Sequence, residues 1–307
     1  MPKTHVTRRQ IINAPIEAVY KAIANLQEWE AWSPWLIMEP EAIVTVAEDK
    51  RSYSWKGARV GEGKMAIIST VPNQSARYDL NFLTPFKSYA SVGMDIKPMD
   101  GGTEVTWSLD SSLPFFMFWM KNMMQTFIGM DYERGLRLLK DYVEDGEVHS
   151  KLNFIGESDY AGCDYVGIER HCTIDAMPNH MGEDFERLGD WAKQTKFDPS
   201  HMFSIYHKFD PIKGNCYYTV AVPVSEESVS CPDDFICGSQ PPARIYTLEH
   251  VGPYAHLGNA WSTLQGMIRG KEIKPIKNYH PFEIYANSPN ETAPNDLITR
   301  INFAVKS

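Results

Sequence analysis

The sequence predicts an α+β protein of two domains, the second built by internal duplication. Three observations carry this reading. The chain has 307 residues, more than a single core usually serves. Apolar residues recur in steps of two over long stretches, in consecutive runs broken by turn residues, and helical spacing is confined to a few segments. Such an order points to antiparallel sheets with added helices. Finally, two segments of the second half repeat one another, which is the mark of a duplicated unit.

The first domain is expected over residues 1–145. Residues 5–13, HVTRRQIIN, alternate as a strand does. APIEAVYKAIANLQEW then reads as a helix, with Pro15 near its first turn and Val19, Ile23 and Leu26 on one face. Four strand-like runs follow, separated by Pro72-Asn73 and Asp100-Gly101-Gly102. Residues 113–143 close the domain as a long helix with an apolar stripe. Residues 146–163 are polar and aperiodic and read as a linker. In the second domain, 164–307, the repeats are expected at about 164–225 and 243–307. GIERH matches TLEHV around Glu169 and Glu249, and FSIYHKFDP matches FEIYANSPN, at offsets of 80 and 79 residues. A helix lies between the matched strands in each unit, and CYYTVAVPV and LITRINFAV close them. Each β-α-β-β unit alone leaves an apolar face open. Pairing about a pseudo-two-fold axis covers it and leaves a cleft for a ligand.

Composition excludes several function classes. The formal net charge of −9 opposes non-specific nucleic-acid binding, which needs Lys and Arg to displace phosphate counterions. No apolar run reaches the ~18 residues of a membrane span, and MPKTHVTRRQ lacks the apolar core of a secretion signal. The five cysteines show no CxxC pair and read as free thiols of a reducing cytoplasm; Cys231 and Cys237 read as unpaired in a loop, with a pair between them as the alternative. No Gly-rich phosphate loop and no metal-ligand spacing stands out, so neither cofactor nor metal is expected.

The first half resembles the START-like polyketide-cyclase and lipid-transport superfamily (SRPBCC). The matching residues are IINAPIEAVYKAIANLQEWEAWSPW, GEGKMAII, LNFLTPFKSYA, GGTEVTW and MDYERGLRLLKDYVE. The resemblance implies a helix-grip fold, a curved antiparallel sheet around a long C-terminal helix with an apolar cavity. The second half resembles the GyrI-like small-molecule-binding domain, the effector-binding part of AraC-type and MerR-type regulators. HVGPYAHLGNAWSTL and FEIYANSPNETAPNDLITRINFAV carry that match. The resemblance implies bacterial proteins that bind amphipathic or lipophilic small molecules, cations among them. Those regulators carry a helix-turn-helix where this chain has a START-like domain, which points to a stand-alone sensor or sequestering protein. Hydrolases of the same family leave an enzymatic alternative.

Glu283 is the leading site residue. Alternation in FEIY puts Glu283 and Tyr285 on one face and Phe282 and Ile284 on the other. Ser204 occupies the equivalent position of the first repeat, so the acid breaks the pseudo-symmetry as a recognition group would. In the family, a glutamate at this strand position recognises cationic lipophilic ligands, and a carboxylate among aromatic faces suits that role. A solvated outer face is the plainer alternative. The family often has Thr-Glu-Ile where this chain has Thr299-Arg300-Ile301, so Arg300 is expected to pair with Glu283 or adapt the cleft to an anion. Tyr254 and Trp261 lie on the apolar stripe of the second-repeat helix, as cleft wall or as core. Tyr206 and Tyr285 occupy equivalent strand positions. In a hydrolase, Glu283 would activate water and Tyr254 would donate a hydrogen bond. Glu249, His250 and His256 attract notice, but Gly252-Pro253 forces a turn between the histidines and no third ligand is near, which argues against zinc. In the first domain, Trp32, Trp35, Trp119, Met123, Met124 and Phe127 are expected around an adaptable apolar cavity, alongside Phe115 and Phe116; packed core is the alternative.

Overall fold

The structure, a computed structural model, describes residues 3–84, 87–112, 115–195, 199–224 and 231–306, without the side chains of 115–117. Phe115 and Phe116 therefore lie outside the described side chains. The chain divides into two compact units, Met1–Ser150 and Lys151–Ser307.

In the first unit, β1 (Lys3–Ile12) leads into α1 (Ile16–Ala24) and the single turn α2 (Trp29–Trp32). The expected continuous helix breaks at Asn25, whose backbone is extended. Then come β2 (Ile43–Val46), β3 (Ser52–Gly57), β4 (Gly61–Val71), β5 (Ser75–Thr84), β6 (Ser88–Met99) and β7 (Gly102–Ser112). They form an antiparallel sheet in the order β1-β7-β6-β5-β4-β3-β2. Alternation selects the buried face: Ala76, Tyr78 and Leu80 on β5, Val105, Trp107 and Leu109 on β7. The long helix α3 (Lys121–Asp145) closes the unit and ends at Gly146, whose φ of 83° is the left-handed C-cap that glycine adopts freely. Every fully buried α3 residue lies between Gly129 and Leu139. There is little room at this face. A Cβ on Gly135 would stand 2.6 Å from the Trp107 ring and 2.9 Å from Pro34.

The second unit begins inside the expected linker. Residues Lys151–Tyr160 form β8, paired along its length with β13 (Ala243–Val251). Polar, aperiodic composition hid this edge strand because much of it faces solvent. The other elements are β9 (Cys163–Thr173), α4 (Met177–Gln194), β10 (Met202–Asp210), β11 (Asn215–Val224), β12 (Ile236–Gln240), α5 (Leu257–Arg269), β14 (Phe282–Tyr285) and β15 (Ile298–Ala304). The sheet order, β12-β9-β11-β10-β14-β15-β13-β8, has the same internal pattern from either end. The repeats β9-α4-β10-β11 and β13-α5-β14-β15 meet at the central pair β10–β14. One sheet face packs against α4 through Val166, Leu188 and Tyr218, and against α5 through Leu248, Leu264 and Ile301. Phe203, Ile205 and Phe282 build a separate core on the other face.

The cysteine expectation needs one correction. Cys231 and Cys237 are disulfide-bonded, with Cα atoms 5.9 Å apart. The turn in which the Phe235 N–H donates to the Pro232 carbonyl (3.1 Å) folds the chain back and brings them together. Cys163, Cys172 and Cys216 are free.

Candidate functional site

Glu283 stands at the centre of the second unit. The β10–β14 register sets it directly opposite Ser204, so the two equivalent positions of the repeats face each other on the pseudo-two-fold axis. Strand alternation sends Phe282 and Ile284 into the far core and turns Glu283 towards the helices. The carboxyl is 1% exposed. Three neutral donors hold it. Oε2 accepts from Tyr206 (2.8 Å) and Tyr285 (2.7 Å), and Oε1 accepts from Trp261 Nε1. Ser204 Oγ and Tyr285 Oη are 2.9 Å apart, so Ser204 donates to the oxygen whose own proton serves Glu283. Burial pushes the Glu283 pKa up; the Trp261, Tyr285 and Tyr206 hydrogen bonds pull it back. Burial beside that carboxylate raises Tyr206 and Tyr285 well above the ordinary phenol range, so both remain donors at working pH.

The walls cross between repeats. Tyr206 of the first meets Trp261 of the second edge-on, ring centroids 5.1 Å apart. Tyr285 of the second meets Phe185 of the first edge-on at 5.1 Å, with Met181 Sδ 3.7 Å from its hydroxyl. Tyr254, 37% exposed, stands edge-on to Tyr285 at 5.6 Å, and burial with the nearby Glu283 charge pushes its pKa up to about 12. The result is a half-buried aromatic cluster between α4 and α5 around one carboxyl. Among the described residues no salt bridge reaches Glu283.

The first unit has a cavity of about 40 Å³, walled by Trp35, Tyr53, Trp55, Trp107 and Tyr132 among others. Trp107 stacks on Tyr132 at 4.1 Å and meets Trp35 edge-on at 5.9 Å.

Residues 3–144 match the family described as polyketide cyclase / dehydrase and lipid transport. Residues 164–306 match the GyrI-like small molecule binding domain. The chain joins a START-like SRPBCC domain to a GyrI-like domain. Both are small-molecule families. No curated protein matches the chain. Among solved structures it is similar to EcmrR in a complex with DNA, at 14% identity and TM-score 0.44, covering 64% of this chain and 73% of that one. It is also similar to SAV2435 bound to tetraphenylphosphonium, at 14% identity and TM-score 0.39, covering 49% and 93%. A third, MLL2253 from Mesorhizobium loti, is similar at 14% identity and TM-score 0.36, covering 47% and 99%.

Within the GyrI-like domain, Glu283, Tyr206, Tyr285, Trp261 and Tyr254 come together as one site. Arg300 does not join them. It opposes Ile284 in the β14–β15 register, and its Nε donates to Glu249 Oε2 at 3.0 Å. Strand alternation therefore carries its guanidinium to the face opposite Glu283. Arg300→Ala is accordingly expected to leave the affinity of any cleft ligand within about twofold, a change worth no more than about 0.4 kcal/mol; calorimetric titration of the variant checks this. Burial and the neighbouring His256 push the His250 pKa down to about 4, so His250 is neutral at working pH. Among the described residues no group of three or more His, Cys, Asp or Glu side chains is arranged to hold a metal.

Met181 and Phe185 escaped the sequence reading as cleft residues. Both lie on the apolar face of α4 that packs on the sheet, where packing is the ordinary role. The available signal was the repeat itself, which gives Trp261 a counterpart on α4.

In the START-like domain the expected cavity set is largely corrected. Trp35 lines the cavity. Trp32 is buried but packs beside Trp29, centroids 4.5 Å apart, outside the cavity lining. Trp119 is 68% and Phe127 45% exposed, and Met123 and Met124 are half-buried outside the lining. The reason is the α3 burial span, which starts only at Gly129. Aromatic side chains of β3, β5 and β7 supply the walls instead, with Tyr132 of α3. Among the described residues no helix is long and apolar enough to cross a membrane.

Proposed function

We propose that this protein binds amphipathic small molecules, lipophilic cations foremost, in the GyrI-like cleft, as a stand-alone sensor or sequestering protein of the cytoplasm. The observation that carries this reading is the Glu283 carboxyl, buried among aromatic rings and held by three neutral donors. Its ionised form has hydrogen bonds but, among the described residues, no opposite charge, and a cation over the surrounding rings supplies one. Coulomb attraction is strong in such a low-dielectric setting, and Tyr and Trp faces add cation–π attraction within ~6 Å. The ligand of SAV2435, tetraphenylphosphonium, is a probe of that class. Hydrolysis in the same cleft is the weaker reading: a general base needs a water within reach, whereas both Glu283 oxygens are already engaged by Trp261 and the two tyrosines.

The test is calorimetric titration with tetraphenylphosphonium across pH. The ionised carboxylate is the binding form, so affinity is full above the raised Glu283 pKa and falls as pH drops through it. Saturable binding with that pH dependence supports the proposal. Binding that ignores pH, or no binding, overturns it.

A further inference from the structure

A second chemically equipped place lies beneath α4 and owes nothing to the cleft reading. Cys172 and Cys216 are directly opposite in the β9–β11 register. Their sulfurs are 3.5 Å apart, so both side chains already point at each other. Cys216 is 3% exposed, whereas Cys172 is half-buried and within reach of a small solute. Opposed residues of an antiparallel pair have Cα atoms ~4.5–5.5 Å apart, inside the ~4.4–6.8 Å window of a disulfide. Bringing the sulfurs to ~2.05 Å therefore requires side-chain rotation more than backbone movement. The remaining free cysteine is engaged elsewhere: Cys163 Sγ lies 3.2 Å from the Tyr160 hydroxyl.

We propose that Cys172 and Cys216 are a peroxide-oxidisable pair that closes reversibly to a second disulfide across β9 and β11. The half-buried Cys172 sulfur attacks the O–O bond of a hydroperoxide. An S–O bond forms, the O–O bond breaks, and hydrogen peroxide releases one water. The Cys216 sulfur then attacks the Cys172 sulfenic sulfur. The S–S bond forms, the S–O bond breaks, and the hydroxyl leaves with the Cys216 proton as a second water. Two thiols lose two electrons and two protons, and one peroxide becomes two waters. The unequal burial assigns the roles. Burial and the adjacent Cys172 push the Cys216 pKa up to about 12, which keeps it protonated in the reduced pair. The pair shares an apolar cluster with Met177, Met181 and Phe185 of α4, so the new bond would form directly under the helix that walls the cleft.

The experiment uses the full chain, treated with hydrogen peroxide and analysed by thiol titration and peptide mass mapping. Free thiols are expected to fall from three to one, with a Cys172–Cys216 cross-linked peptide that dithiothreitol reverses. Cys163→Ser keeps that cross-link. Cys216→Ser abolishes it and lets Cys172 advance to the sulfinic acid, and Cys172→Ser abolishes it with Cys216 left as thiol. The proposal is overturned if peroxide leaves both thiols intact, drives Cys172 of the unmutated chain to sulfinic acid, or links either cysteine to Cys163 or another chain. Failure here leaves cation binding untouched, and failure of cation binding leaves this test readable.

Discussion

Glu283→Gln is expected to weaken tetraphenylphosphonium binding by tenfold or more at a pH above the raised Glu283 value. Tenfold corresponds to about 1.4 kcal/mol, below the few kcal/mol typical of losing a partner to a desolvated charge. Glutamine keeps the shape and one acceptor oxygen. Its amide nitrogen, however, donates towards groups that are themselves donors, Trp261 Nε1 or the Tyr206 and Tyr285 hydroxyls. A neutral aromatic ligand of similar size separates the two effects. Its affinity should change far less than that of the cation, because the rings remain while the charge is gone. Equal cation affinities for wild type and variant would sink Glu283 as the charge partner, and an equal loss for both ligands would mean that the variant disturbs cleft shape.

Trp107→Ala is expected to destabilise the START-like domain by about 3–5 kcal/mol, the usual cost of truncating a large buried aromatic. The side chain is 1% exposed and sits in an aromatic cluster. It stacks on Tyr132 at 4.1 Å and meets Trp29, Trp32 and Trp35 edge-on at 5.7, 5.8 and 5.9 Å. Sheet on one side and α3 on the other leave the site little freedom to collapse. Trp119→Ala is the contrasting variant. It removes an equally large ring that is 68% exposed, and its effect should stay within about 0.5 kcal/mol. Urea unfolding followed by near-UV circular dichroism measures both. Similar losses for the two variants would mean that burial in this core does not govern its stability.

The two tryptophans show how far pattern carries. Residue type at 107 and 119 is identical, but the flanking patterns differ. Alternation in GGTEVTWSL assigns Trp107 to a strand face, and the neighbours Val105 and Leu109 share it. Trp119 lies in a run that is apolar on every side, so no period selects a face, and burial there depended on where α3 first meets the sheet. Glu283 and Arg300 form a similar contrast. Alternation within FEIY separated Glu283 from Phe282 without any structure, and comparison of the repeats singled it out from Ser204. The partner of Arg300 could not be read, because β15 lies between β13 and β14 and the choice between Glu249 and Glu283 depends on register and face. The β13–β15 register pairs Glu249 with Arg300 directly.

The sequence by itself determined the two-domain α+β plan, the duplicated second half and the placing of Glu283 at the position where the first repeat has Ser204. All three rest on periodicity and on internal repetition, which are local properties of the chain. Tertiary structure alone decided the rest. It turned part of the expected linker into strand β8, closed Cys231 on Cys237, moved Arg300 to the opposite face and brought Met181 and Phe185 to the cleft. Apart from the disulfide, which a local turn closes across six residues, these outcomes depend on contacts between residues distant in sequence. Burial of an apolar face, rather than the preference of the segment itself, sets which of those contacts form.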